Sequence, residues 1–220
     1  MRAFRAAAGL LSLALGCAVP PSRSSTEIST RDMRLSISLE SVSTGTHVRA
    51  SLVGPFGGFD LDGGDTFSLY AAGQPTAWVS DGSYTFTAEP PARSGDFVFD
   101  LVRPEDRGAR VTIPTPPDTD LVADPPTARS VPVRWTPGEG AFVTTLSVQG
   151  TCIAGGTVTL GRDAGAYVLD LAAMGPKGGG CTLTVTLARS AAGSAYLLGE
   201  PWMSYTARQT RTVEVAWSPG

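Results

Sequence analysis

What most constrains this chain is alternation. From Met33 onward, apolar and polar residues change places with a period of two, in one short run after another. "RLSISLESV" sets Leu35, Ile37 and Leu39 on one side and Ser36, Ser38 and Glu40 on the other. "HVRASLV" repeats this with Val48, Ala50 and Leu52, and "TFSLYA", "TAWVS", "SYTFTA", "DFVFDLVR" and "ARVTIP" follow. Successive side chains that point to opposite faces are the signature of a β-strand with one buried face. Gly, Pro, Asp or Ser separates each run from the next, so the runs are short strands joined by turns. Outside the N-terminal run no window has a helical period. Hydrophobic residues make up 42% of the chain, enough for a core. The expectation is an all-β protein, and about seven short strands at this spacing point to an antiparallel sandwich.

The stretch "TPPDTDLVADPP", Thr115 to Pro126, breaks the pattern. Proline cannot donate to a strand ladder, and the acidic residues are turn formers. The domain boundary is placed there: residues 33–114 form one sandwich, 115–126 a linker, and 127–220 a second sandwich. The second set of runs is "VPVRW", "FVTTLSVQGTC", "GTVTL", "AYVLDL", "CTLTVTLAR" and "TRTVEVAW". The halves look like a diverged duplication. "GSYTF" at Gly82 matches "GAYVL" at Gly165, and each is followed by an alternating run that ends in arginine, Arg103 or Arg189. The glycine-to-arginine spacings are 21 and 24 residues. An arginine with a valine close behind it opens the run that closes each half, Arg110-Val111 in the first and Arg211-Thr212-Val213 in the second. A single large sandwich is the alternative reading.

The chain opens "MRAFRAAAGLLSLALGCAVPP". Arg2 and Arg5 precede an uncharged, mostly apolar run, Ala6 to Gly16, that is too short to cross a bilayer, which takes about 20 residues. Residues 1–16 read as an export signal peptide. Ala14 and Gly16 are the small residues a signal peptidase needs before Cys17. "ALGC" resembles the lipobox of bacterial lipoproteins, with Ala14 where those favour Leu. The resemblance implies a lipid on Cys17 and a membrane as partner, the outer membrane for an exported envelope protein. Secretory cleavage at the same bond is the other reading. Residues 17–32 are small, polar and rich in Pro and Ser, and read as a flexible tether. The chain has three cysteines, Cys17, Cys152 and Cys181. An odd thiol in an exported protein needs an explanation. Lipid on Cys17 leaves Cys152 and Cys181 as one pair in an oxidising compartment.

The formal net charge is −3, and −5 once Arg2 and Arg5 leave with the signal. An acidic chain with no basic cluster is unsuited to nucleic acid. His47 is the one histidine and stands at a hairpin start. A Ser-His-Asp triad through it would need a nucleophile elbow, and no Gly-x-Ser-x-Gly is present, so it reads as a solvated turn residue. Asp60, Asp62 and Asp65 in "DLDGGD" carry the oxygens that calcium takes, but the glycine is out of its EF-hand place and no bidentate Glu follows. A glycine turn explains the motif without metal. No pair of carboxylates has a context that fixes a hydrolytic separation. The cysteine pair lacks both a CxxC and a nearby His, so a structural disulfide is expected rather than a metal site, and no cofactor is implied. In "GEPWMSY", Trp202 and Tyr205 read as loop aromatics. They can stack on a sugar or anchor a protein partner, or pack back on the sandwich. Trp78, Trp135 and Trp217 lie on strand patterns and read as core.

"RDAGAYVLDL", Arg162 to Leu171, has the Asp-x-Gly-x-Tyr form of the tyrosine corner of immunoglobulin-like domains, which lies near the start of strand F. Two long runs follow Tyr167, so Tyr167 falls in strand E instead. The pattern from Met33 to Trp217 resembles immunoglobulin-like and fibronectin-type-III-like domains of bacterial envelope lipoproteins. On that resemblance "VPVRW" is strand B, "FVTTLSV" strand C, "CTLTVTLAR" strand F and the last run strand G. Strands C and F are antiparallel neighbours, so Cys152, just beyond C, and Cys181, at the start of F, meet in a disulfide. The resemblance implies a non-enzymatic binding or structural module of the cell envelope, with an envelope protein or glycan as partner. A carbohydrate- or matrix-binding surface adhesin is the alternative, and a secreted hydrolase a further one.

Overall fold

The computed structural model describes residues 23–80 and 84–219. The signal peptide over 1–16 and Cys17 lie outside them. Among the described residues the protein is all-β, with two 3-10 turns, Ser25–Glu27 and Thr30–Asp32, and no α-helix. In chain order the strands are β1 (Arg23–Ser24), β2 (Arg34–Val42), β3 (Gly45–Gly54), β4 (Gly57–Asp60), β5 (Thr66–Ala71), β6 (Gln74–Thr76), β7 (Val79–Ser80), β8 (Thr85–Ala88), β9 (Asp96–Val102) and β10 (Ala109–Pro114). The second half holds β11 (Leu121–Ala123), β12 (Ser130–Trp135), β13 (Val143–Gln149), β14 (Gly156–Leu160), β15 (Ala166–Asp170), β16 (Cys181–Leu197) and β17 (Glu200–Trp217).

The alternation does what it predicts. In β2, residues Leu35, Ile37 and Leu39 are buried, and Ser36, Ser38 and Glu40 are exposed. In β16, Leu183, Val185 and Leu187 point inward while the threonines between them face outward. In the first half, β2, β3 and β8 lie side by side, and β10, β9, β5 and β6 form a second sheet. Their inner faces share one core, in which Leu35, Ile37, Val48 and Leu52 meet Leu69, Phe97, Phe99 and Leu101. Trp78 stacks on Phe67 with ring centroids 5.3 Å apart at its edge. In the second half, the sheet β11-β12-β15 packs on β14-β13-β16-β17. Val131, Val133, Trp135 and Leu169 there meet Leu146, Val148, Leu183 and Val185, with Trp217 beside them.

The matched runs occupy matching places. Tyr84 immediately precedes β8, which pairs with β3; Tyr167 lies in β15, which pairs with β12. The two arginine-ended runs are β9, between β5 and β10, and β16, between β13 and β17. Tyr167 is thus in the strand before the long pair, and "CTLTVTLAR" neighbours β13, the order expected from the sequence.

Three expectations need correction. First, β16 and β17 form one hairpin that outgrows its own half. Val143–Gln149 covers β16 only from Thr184 to Ser190. Beyond that, Met203–Gln209 of β17 runs parallel to Leu35–Ser41 of β2 and adds a strand to the first half. Strands of 17 and 18 residues reach about 55–60 Å, nearly twice the length of β2 or β3. The first core therefore contains Trp202, Met203 and Ala207, so residues 33–114 alone do not make it up. Second, Thr115–Pro126 is not plain linker: it carries β11, and Thr119 is buried. Third, the flexible tether expected over 17–32 is, from Arg23 on, built into the fold. β1 pairs with β4, Ser25 and Thr30 are fully or nearly fully buried, and Ile28 joins the first core.

Candidate functional site

The cysteines are bonded to each other. Cys152 follows β13 and Cys181 opens β16, with Cα atoms 5.7 Å apart, because antiparallel neighbours bring those two ends together. A disulfide belongs to an oxidising compartment, so the protein is extracytoplasmic.

The aromatic pair is not a loop. Trp202 and Tyr205 stand on β17, where the parallel pairing with β2 continues the sheet. Trp202 is buried, and its Nε1–H donates to the Thr30 carbonyl at 3.1 Å. Tyr205 is half-buried, and a side chain at Gly193 opposite it would strike its ring. Trp202 is not free to stack on a sugar, and Tyr205 is partly covered. Their neighbours in sequence did not show this, because the burying strand, β2, lies more than 160 residues upstream.

The three aspartates do not converge on a cation. Asp65 is buried against Arg103, whose Nε donates to its Oδ2 at 2.8 Å. Asp62 accepts from the Ser24 hydroxyl, and Asp60 pairs in register with Ser24 on the neighbouring strand. Among the described residues no group of three or more His, Cys, Asp or Glu is placed to hold a metal.

Sequence reading missed the buried arginines, and they are the densest polar chemistry in the molecule. Arg103 follows β9. Besides Asp65 it donates to the Ile28 carbonyl and the Thr30 hydroxyl, both at 2.8 Å, to the Ser25 carbonyl, and to Asp106 at 3.1 Å. Asp106 also accepts from the Thr30 backbone at 2.8 Å and from the Arg107 backbone. These two N–H groups hold its carboxyl below the usual aspartate value, against a smaller opposing effect of burial. In the second half, Arg189 of β16 pairs with Asp163 at 2.7 Å and donates to the carbonyls of Pro117 and Thr136. Burial pushes its guanidinium down, partly offset by the Asp163 charge, and an arginine stays charged regardless. Each arginine therefore grips the segment that leads into its own half: residues 25–30 for Arg103, Pro117 for Arg189. The signal was present in the sequence as the repeated terminal arginine. What it lacked was the partner, since Asp65 and Asp163 sit in unrelated motifs. A third arginine, Arg211, is buried at the junction, pairs with Asp118 and donates to the Ser41 carbonyl.

The outer face of the large sheet carries open hollows. A groove of about 650 Å³ lies over β2, β3 and β8, lined by Ser38, Glu40, His47, Arg49, Val79 and Glu89 among others. His47 Nδ1 is 3.1 Å from Glu89 Oε1, and both side chains are exposed. A second hollow of about 450 Å³ continues over β2, β17 and β16 with Glu40, Thr206 and Arg208. Charged and hydroxyl side chains of both hollows stand around an apolar floor, Val48, Ala77, Val79 and Ala88 in the first and Val143, Ala191 and Ala192 in the second, and both are open rather than closed clefts.

No family model matches the chain, and no curated protein matches it in sequence. Among solved structures, the "Biofilm associated protein - BSP domain" is 16% identical with a TM-score of 0.26, over 85% of this chain. This chain spans only 30% of that one's length. A "Cytokine receptor complex - Crystal form 1A" is 12% identical with a TM-score of 0.34, over 78% of this chain and 94% of that one. Likenesses this loose carry nothing about function.

Proposed function

We propose that the chain is a non-enzymatic module of the cell envelope, carried on a lipid at Cys17 and built as two immunoglobulin-like sandwiches, with the boundary near Thr115–Pro126. It binds or spaces rather than transforms. The observation that carries this reading is the β16–β17 hairpin, which contributes to both cores. A strand pair rooted in two cores sets a fixed distance and angle between the ends of the molecule, which suits a spacer or a presenting surface. The disulfide supports an address beyond the cytoplasm, and "ALGC" supports the lipid. The open groove over β2, β3 and β8, with Glu40, His47, Arg49 and Glu89 around an apolar floor, is the surface we assign to an envelope protein or glycan. The adhesin reading loses its main support, because Trp202 is buried.

Two measurements test this. Radiolabelled palmitate should enter the wild type and not Cys17→Ser; equal labelling of both would end the lipid reading. Capture from native envelopes should depend on the groove. A double charge reversal, Glu40→Arg with Arg49→Glu, should release whatever the wild type retains. Unchanged retention would move the binding surface elsewhere.

A further inference from the structure

The end of the molecule from which the N-terminal segment departs is capped by exposed apolar side chains. Strand register defines that end. Arg34 pairs with Val53, and Leu35 with Met203, so two turns project beyond the start of β2. One is Pro55–Phe56, between β3 and β4; the other is Leu198–Gly199, between β16 and β17. Phe56 is 75% exposed, and Tyr196 and Leu198 are each 68% exposed. Tyr84, whose carbonyl accepts from Leu52, adds a further half-exposed ring over Gly58. Four large apolar side chains at one end are more than scattered surface hydrophobics.

Leu198 is also in the wrong conformation for its residue type. Its φ is +53°, and Gly199 follows at +88°. A two-residue hairpin turn of this kind takes Asn-Gly or Gly-Gly, because both residues lie in the left-handed region. The same turn between β5 and β6 uses the small Ala72 with Gly73. A strained, solvated leucine serves neither the turn nor the core, so its use lies outside the folded chain.

The first described residue, Arg23, stands at this same end, its guanidinium 4.2 Å from the Phe56 ring centroid. Five residues lie between it and Cys17, six Cα steps with a reach of at most about 22 Å. We infer that this end rests on the bilayer that holds the Cys17 lipid, with Leu198, Tyr196 and Phe56 dipping into the headgroup region. The inference rests on the lipidated reading of Cys17. Arg23, Arg31 and Arg34 stand among Glu27, Asp32, Glu105, Asp106 and Glu200 and form no basic patch, so contact is apolar and does not require anionic lipid. Leucine and tyrosine are suited to that depth, tyrosine with its ring in the interface and its hydroxyl in water.

The test replaces the lipid by a chelate, so that it reads the tip whether or not Cys17 is acylated. All the contacts described above lie within residues 23–219, so the chain from residue 18 onward keeps them. It carries an N-terminal hexahistidine and is held on phosphatidylcholine vesicles containing a nickel-chelating lipid. Cys152 and Cys181 are bonded to each other, so Leu198→Cys supplies the single free thiol for an environment-sensitive dye. A matching Val122→Cys chain labels an exposed strand residue of the other half. The dye at 198 should shift to the blue and lose emission to spin-labelled phosphatidylcholine, and the dye at 122 should do neither. No quenching at 198 on protein that sediments with the vesicles overturns the inference. So does equal quenching at both positions. A blue shift at 198 that grows with protein concentration in the absence of lipid would assign the tip to a second copy instead. Palmitate incorporation, measured separately, fails or succeeds on its own.

Discussion

At the scale of residues, the two halves are each closed by one arginine. Asp163 accepts from Arg189, from the Trp135 indole and from the Gly138 backbone, all at a site shut off from water. Asp163→Ala leaves a buried guanidinium without its carboxylate, and the expected loss is about 3–5 kcal/mol in urea denaturation. Asp163→Asn keeps two of the acceptor contacts and should lose less. Asp106 sets a pH dependence. Its folded pKa is below its ordinary value of 3.8, so its stabilisation is complete above that value and is lost as pH falls through the folded one. Asp106→Asn should therefore flatten the decline of stability below about pH 4, read by denaturant midpoints at pH 7 and at pH 3. Leu198→Asn relieves the turn and should raise the thermal midpoint slightly or leave it unchanged, whatever it does at a membrane.

At the scale of elements, the hairpin and the disulfide act on the same strands from opposite ends. Cys181 pairs with Trp217 at the base of β16–β17, and the Leu198–Gly199 turn lies at its tip. The bond closes a loop across a sequence separation of 29, worth about 3–4 kcal/mol in the chain-entropy view. Cys152→Ser with Cys181→Ser, measured against the wild type in urea, should show a loss of this size. Trp202→Ala acts at the other end. It removes a buried indole from the first core and its bond to Thr30, for an expected loss of about 3–5 kcal/mol.

At the scale of the molecule, the consequence is cooperativity. The second half lends a strand to the first, and Arg211 with Asp118 and Ser41 ties the junction. Heating should give one transition, with calorimetric and van't Hoff enthalpies equal, where two independent sandwiches would give two. Mild proteolysis should spare Thr115–Pro126, which is held by the Pro117 bond to Arg189 and by buried Thr119. A nick there should leave both fragments together on a sizing column until denaturant is added.

The sequence by itself determined the strands, because period-two alternation is a local property that each run carries in its own residues. It also determined the pair of cysteines, and it marked the repeat through the arginines at 103 and 189. Tertiary structure decided where the strands end and whom they join. Nothing local in "SAAGSAYLLGEPWMSY" says that the strands of "CTLTVTLAR" and "TRTVEVAW" continue through it. The reason is that their partner there, Leu35–Ser41, is remote in sequence and pairs in parallel. The same remoteness hid the burial of Trp202 and the anchoring of residues 23–32, whose partners include β4, Asp106 and the Arg103 guanidinium, 75 residues beyond Ile28. Backbone hydrogen bonds and buried charges take whatever partner the folded chain brings near.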